Sequence, residues 1–167
     1  PTPRGGGLAL VFAIALGSLL LPGSLPLAIA PALWAALPIA LIGLIDDRRG
    51  LSARVRLAGH LIAALACVLL FARAVPLEPH WPRAALVAAS VLAIAWGTNL
   101  FNFMDGIDGI ASTQAIFIAA AGALLLGAGA PPIAAALWVI VAACAGFLIW
   151  NWAPARIFMG DVGSGFF

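Results

Sequence analysis

Four polar side chains recur at every third position in the stretch Thr98–Ser112 (TNLFNFMDGIDGIAS): Asn99, Asn102, Asp105 and Asp108. On an α-helix three residues turn the chain by about 300°, so each step drifts by about 60° and the four form a wedge over roughly half the circumference. Gly106 and Gly109 loosen the backbone there and let it approach a ligand closely. Asn and Asp are also good helix caps and turn formers, so a plain capping region is the alternative.

A second group is GLIDDRRGLSARVRLAGH. Asp46 and Asp47 are adjacent carboxylates at the C-terminal end of an apolar run. They repel each other, and the helix dipole disfavours anions at that end. They need a compensating cation, which could be Arg, a metal ion or both. Arg54 and Arg56 follow one to two turns later. An acid pair followed by spaced Arg suits a magnesium-dependent phosphate site, because Arg offers forked donors to phosphate oxygens. Alternatively the pair simply marks a membrane interface, with Arg48 and Arg49 as partners.

The third group is NWAPARIFMGDVGSGFF, where Asp161 lies between Gly160 and Gly163 with Ser164 and Gly165 after it. Such a turn can present a carboxylate to a metal and backbone N–H groups to phosphate, or be only a turn. Arg156 could bind phosphate or anchor at lipid headgroups. His60, one turn beyond Arg56, is read as a satisfied interfacial histidine, and His80 is given no role.

Elements must hold these groups, and composition says which kind. The 167 residues are 65% hydrophobic and 8% charged, with a mean hydropathy of +1.16. A soluble domain carries about a quarter charged residues, so this is a membrane composition. All eight basic residues are Arg, set against five Asp and one Glu, which makes no basic stripe and argues against a nucleic-acid partner. Cys67 and Cys144 lie inside apolar runs and read as small core residues. A spanning helix needs roughly 20 apolar residues. Six candidates run near Leu8–Pro22, Leu27–Ile45, Leu57–Val75, Ala84–Phe101, Ile110–Gly127 and Ile133–Trp152, with Pro31 and Pro38 interrupting the second. Trp81, Trp96, Trp150 and Trp152 fall near span ends, where indole rings suit the interface or simple packing.

With six spans, the segments 1–7, 46–56, 102–109 and 153–167 share one membrane face. That face holds six of the eight Arg and all five Asp. The positive-inside rule places it in the cytoplasm. No Lys or Arg lies between Trp96 and Gly127 to neutralise the Asn/Asp wedge, and such groups at a membrane read as functional. The start PTPRGGG and the apolar end suggest an internal piece of a longer protein, one transmembrane catalytic domain over residues 1–167 truncated at both ends.

NLFNFMDGIDGIA, GLIDD with its downstream Arg, PTPRGGG and NWAPARIFMGDVGSG, in that company, resemble the polyprenyl-phosphate N-acetylhexosamine-1-phosphate transferases. The wording NFMDGIDGIA and FMGDVGSG is similar to the O-antigen-initiating branch. The resemblance implies an all-α, polytopic integral membrane protein, here about six helices of a roughly ten-helix fold. It implies transfer of N-acetylhexosamine-1-phosphate from a UDP-sugar to undecaprenyl (polyprenyl) phosphate with release of UMP, in the bacterial inner membrane, with the active site facing the cytoplasm. Mg²⁺ is the expected cofactor, with Mn²⁺ as the alternative. Carried over, Asn102 and Asp161 match metal positions, and Asp46, Asp47 and Asp105 catalytic ones. Arg4, Arg56, Asn99, Asp108 and Arg156 match substrate-binding positions, with Asp108 towards uracil. Asp46 or Asp47 is expected as a base, with positioning or a second metal role as the alternative, because a phosphate monoester is mostly ionised at neutral pH. A homodimer, the identity of the sugar and the glycan pathway stay open. The competing readings are a membrane transporter, a CDP-alcohol phosphatidyltransferase and an inactive fragment of the same fold.

Overall fold

The computed structural model describes residues 2–21, 30–74, 82–127 and 129–167, with the side chains of 30–35 and 73–74 set aside. Glu78, His80 and Trp81 lie outside the described residues. Among the described residues all regular structure is helical. Six long helices follow one another: α1 (Gly7–Leu20), α2 (Ala30–Arg49), α3 (Ala53–Ala74), α4 (Arg83–Met104), α5 (Ile110–Leu126) and α6 (Pro131–Asn151). A short α7 (Gly160–Ser164) closes the chain. The six fall on the six expected spans. α3, α4 and α6 are long and apolar enough to cross a membrane, and α1 and α5 are shorter apolar helices.

Two boundaries differ from the sequence reading. α2 passes through Pro38 and continues beyond Ile45 to Arg49, so Asp46 and Asp47 stand in its last turn. α4 stops at Met104, which divides the expected wedge. Asn99 and Asn102 stay on the helix, Asp105 caps it, and Asp108 lies in the turn before α5. After Met104 the hydrogen bonds tighten to three-residue turns, Gly106 N–H to Phe103 and Ile107 N–H to Met104, and Gly109 with φ +73° stands immediately before α5.

The packing is that of a bilayer protein. Small residues line the close contacts: Ala111, Ala115, Ala119 and Ala123 recur one turn apart along the buried side of α5. They face α6, whose buried side carries Ala134, Ala136 and Cys144. Lipid tails are as apolar as leucine, so helices in a membrane associate through close backbone approach rather than through apolar burial. The large side chains point outwards instead, with Phe12 68%, Leu124 73% and Leu125 86% exposed. Such a surface belongs in hydrocarbon.

α7 is the exception to this outward pattern. It is wedged against α1, α2 and α4, and Gly160, Val162, Gly163 and Ser164 are buried. Gly43 on α2 makes room for it: a Cβ there would collide with the Asp161 carbonyl group. The segment before α1 is laced to the segment before α7. The Phe158 N–H donates to the Pro3 carbonyl (3.0 Å), Gly6 N–H to Phe158 (3.0 Å) and Gly7 N–H to Met159 (2.8 Å). The start of α1, the ends of α2 and α4 and the start of α3 thus meet around α7 at one end of the bundle.

Candidate active site

The expected residues converge on α7. Asp46, in the last turn of α2, is buried, and its Oδ1 accepts the Leu51 N–H. Its Oδ2 accepts from Nη1 of Arg56 at 3.1 Å. The same Nη1 donates to Asp161 Oδ2 at 3.3 Å, so one guanidinium nitrogen links two carboxylates contributed by α2 and α7. These are the ion pairs of Arg56 among the described residues, and Arg48 and Arg49 make none there. Asp161 Oδ1 accepts from Nδ2 of Asn102 at 2.8 Å. Asn102 also donates to Ser164 Oγ (2.9 Å), which itself donates to the Gly160 carbonyl (3.0 Å). Burial pushes the Asp161 carboxyl above its ordinary range; the neighbouring Asp46 and Asp47 push the same way, and Asn102 opposes them.

Asp47 and Asp105 face backbone rather than side chains. Asp47 Oδ1 accepts the Asp161 N–H (3.0 Å) and Oδ2 the Val162 N–H (3.1 Å). Asp105 Oδ1 accepts the Met159 N–H (3.2 Å) and Oδ2 the Gly160 N–H (2.8 Å). Burial pushes Asp105 up to about 6, against the pull of those two hydrogen bonds. Gly160 has φ +71°, and a Cβ on it would lie 2.6 Å from Asp47 Oδ2, so only glycine fits this turn.

Other expected residues stand apart from this cluster. Asp108 Oδ2 accepts the Ala155 N–H at 2.9 Å and borders a cavity of about 460 Å³ with Thr113, Gln114, Phe117 and Trp152. Arg156 lies over the Trp150 ring, 5.9 Å from its centroid. Arg4 and Asn99 are exposed. His60 is buried, and its Nδ1 has no partner among the described residues, unlike the satisfied histidine expected. One pair was missed by sequence reasoning: Ser112 Oγ donates to Asn151 Oδ1 (2.9 Å), and Asn151 Nδ2 donates to the Ile157 carbonyl (3.0 Å). The available signal was a lone Asn between Trp150 and Trp152 at a span end.

The donor set suits a hard divalent ion. Asp46 and Asp161 are oxygen donors that already share one cationic partner. Among the described residues no group of three or more His, Cys, Asp or Glu is placed to hold a metal. Asp46 and Asp161 could hold a divalent ion only with most of its ligands supplied from outside the protein.

A model of glycosyl transferase family 4 matches residues 29–167. The chain belongs to glycosyl transferase family 4. The family match contains α2 to α7, hence the acid pair, Arg56, Asn102 and Asp161. This family 4 chain is similar to a phospho-N-acetylmuramoyl-pentapeptide-transferase of Moorella thermoacetica, 34% identical over 98% of the chain and 57% of the relative. It is 36% identical to a decaprenyl-phosphate N-acetylglucosaminephosphotransferase of Mycobacterium tuberculosis, over 98% of the chain and 47% of the relative. A probable undecaprenyl-phosphate N-acetylglucosaminyl 1-phosphate transferase of Bacillus subtilis is 30% identical, over 97% of the chain and 47% of the relative. The chain thus spans about half the length of these relatives.

Proposed function

We propose that this family 4 chain carries the reaction centre of a UDP-N-acetylhexosamine:polyprenyl-phosphate sugar-1-phosphate transferase. One observation supports this above all: Asp46, Arg56, Asn102 and Asp161, from four different helices, meet at one end of an apolar bundle. A lipid phosphate reaches the end of a bundle, not its middle, and a water-soluble sugar nucleotide arrives from the same side. A transporter would instead have its polar side chains at mid-span along a path.

In this reading the lipid phosphate oxygen forms a bond to the sugar-bearing phosphorus, and the bond from that phosphorus to the bridging oxygen breaks. The electron pair leaves on UMP. The lipid phosphate is mostly ionised at neutral pH, its second pKa being about 6, so no base is needed to generate the nucleophile. Asp161 and Asp46 would hold Mg²⁺ or Mn²⁺, which when bound offsets the negative charge of the diphosphate. Asn102 fixes the Asp161 carboxylate by hydrogen bond. Arg56 supplies a fixed cation between the acids and a forked donor for a phosphate, lowering the repulsion between two anionic substrates. Asp108 has one oxygen occupied by Ala155 and offers the other to the base of the nucleotide. Arg4, Asn99 and Arg156 are exposed and would meet the nucleotide or the headgroup from outside the acid cluster. The product is the first lipid-linked intermediate of a cell-envelope polysaccharide, with O-antigen the pathway favoured by the FMGDVGSG wording, on the cytoplasmic side of the bacterial inner membrane.

The test uses full-length protein in membranes with undecaprenyl phosphate and radiolabelled UDP-GlcNAc, UDP-GalNAc or a 6-deoxy UDP-N-acetylhexosamine. Labelled lipid from one of them, lost on chelation and restored by Mg²⁺, is expected. No labelled lipid from any of them overturns the reading.

A further inference from the structure

α7 has only five residues and cannot hold itself in place. Its leading amides lack intrahelical partners, and buried amides left unpaired are costly. Two carboxylates take all four consecutive N–H groups from Met159 to Val162: Asp105 takes Met159 and Gly160, and Asp47 takes Asp161 and Val162. The two acids come from different helices, Asp47 from the last turn of α2 and Asp105 from the cap of α4. Each uses both oxygens. Two further side chains, Asn102 and Arg56, grip the Asp161 carboxylate itself.

We infer that Asp47 and Asp105 are positioning residues that form a backbone clamp on α7 and act through Asp161 rather than on the substrates. The adjacent acids therefore divide their work: Asp46 faces Arg56, and Asp47 faces backbone. The inference deepens the proposed transferase reading, since it depends on Asp161 being the residue that needs placing. The clamp occupies both Asp47 oxygens with α7 amides, which gives that acid a placement role without requiring it to act as a base. It also makes α7 a shared part of two helices, so displacing either acid moves the same carboxylate.

The test is amide hydrogen exchange of the peptide covering Met159–Val162, in full-length protein reconstituted in lipid nanodiscs. Asp47→Asn and Asp105→Asn each replace one acceptor oxygen by an NH₂ that faces a donor. Each is expected to speed exchange there by roughly tenfold to a hundredfold, the range for a lost hydrogen bond to a charged group. Asp161→Asn, which leaves the four amide-to-carboxylate hydrogen bonds in place and loses only one side-chain grip, is expected to change exchange there by less than either clamp variant. Half-saturating Mg²⁺ should rise in both clamp variants, and the double variant should fall short of the product of the singles because both act on one element. Asp47→Glu and Asp105→Glu, which keep the charge one methylene further out, should recover part of the protection; they carry the test should the Asn variants fail to fold. Unchanged exchange in the Asp47 variants together with abolished turnover would overturn the clamp and make Asp47 a reacting group. The exchange readout needs no turnover. A protein that makes no labelled lipid but shows this exchange pattern would keep the clamp and lose the transferase reading.

Discussion

At the scale of single residues, the site separates carboxylates that face charge from carboxylates that face backbone. Asp161→Asn keeps the shape of the side chain but removes its charge and one of its two acceptor oxygens, so either Arg56 or Asn102 loses its partner there. It is expected to lower kcat by roughly a hundredfold or more at ordinary Mg²⁺, the size of effect seen when one preorganised electrostatic group is lost. Radiolabelled product formation measures it, and near-normal turnover would remove Asp161 from the reaction centre. Asp105 yields a pH prediction. Burial raises its pKa to about 6 from an ordinary 3.8, with the Asp161 and Asp47 charges adding to the rise. The folded protein then holds this proton more tightly than the unfolded chain. The resulting stabilisation is complete below about pH 4 and is lost as pH rises through about 6, at most on the order of 3 kcal/mol in all. Under chelating conditions, the melting temperature of the wild type minus that of Asp105→Asn should increase between pH 7 and pH 5; a constant difference would contradict it. That Asp46, Asn102 and Asp161 share one end of the bundle was legible in the sequence, because the parity of the apolar runs puts their segments on one face. The partners of Asp47 and Asp105 were not, since they are backbone N–H groups that any residue type could supply.

At the scale of elements, the apolar runs made the six long helices legible, while their ends depended on chemistry that hydropathy does not report. α2 runs on through two acids because Arg56 and the amides of α7 compensate them from outside the helix. α4 ends at Met104 in three-residue turns, and the cap residue Asp105 spends its carboxylate on the amides of α7. What joins the elements is close approach at small residues. Gly43→Ala would push a methyl group into the Asp161 backbone. It is expected to reduce activity more strongly than a single methyl normally would, through displacement of α7, and to lower the thermal midpoint in detergent. The α5–α6 contact can be tested in the same measurement. Ala119→Leu places a large side chain on the buried stripe of α5 and should cost about 1–3 kcal/mol by overpacking. Leu125→Ala, at the outward position that is 86% exposed, should change the midpoint little. Equal effects of the two would mean that α5 presents a different face to α6.

At the scale of the whole molecule, charge orients the bundle. Arg4, Arg48, Arg49, Arg54, Arg56 and Arg156 lie at the α7 end, and only Arg73 and Arg83 lie at or near the other. Cytoplasmic segments of membrane proteins are enriched in basic residues, so the α7 end is expected inside the cell. That orientation also serves the chemistry, because the sugar nucleotide of the proposed reaction is a soluble cytoplasmic donor. Single cysteines test it. Ser52, between α2 and α3, and Gly129, before α6, are both exposed and sit at opposite ends of the bundle. The native cysteines compete little with a polar reagent: Cys144 is fully buried, and Cys67 lies within the apolar span of α3. In spheroplasts treated with a membrane-impermeant maleimide, Gly129→Cys should be labelled directly and Ser52→Cys only after permeabilisation. The reverse pattern would put Asp46, Arg56 and Asp161 on the outer face, where no UDP-sugar could reach them, and the orientation and the proposed donor would fall together.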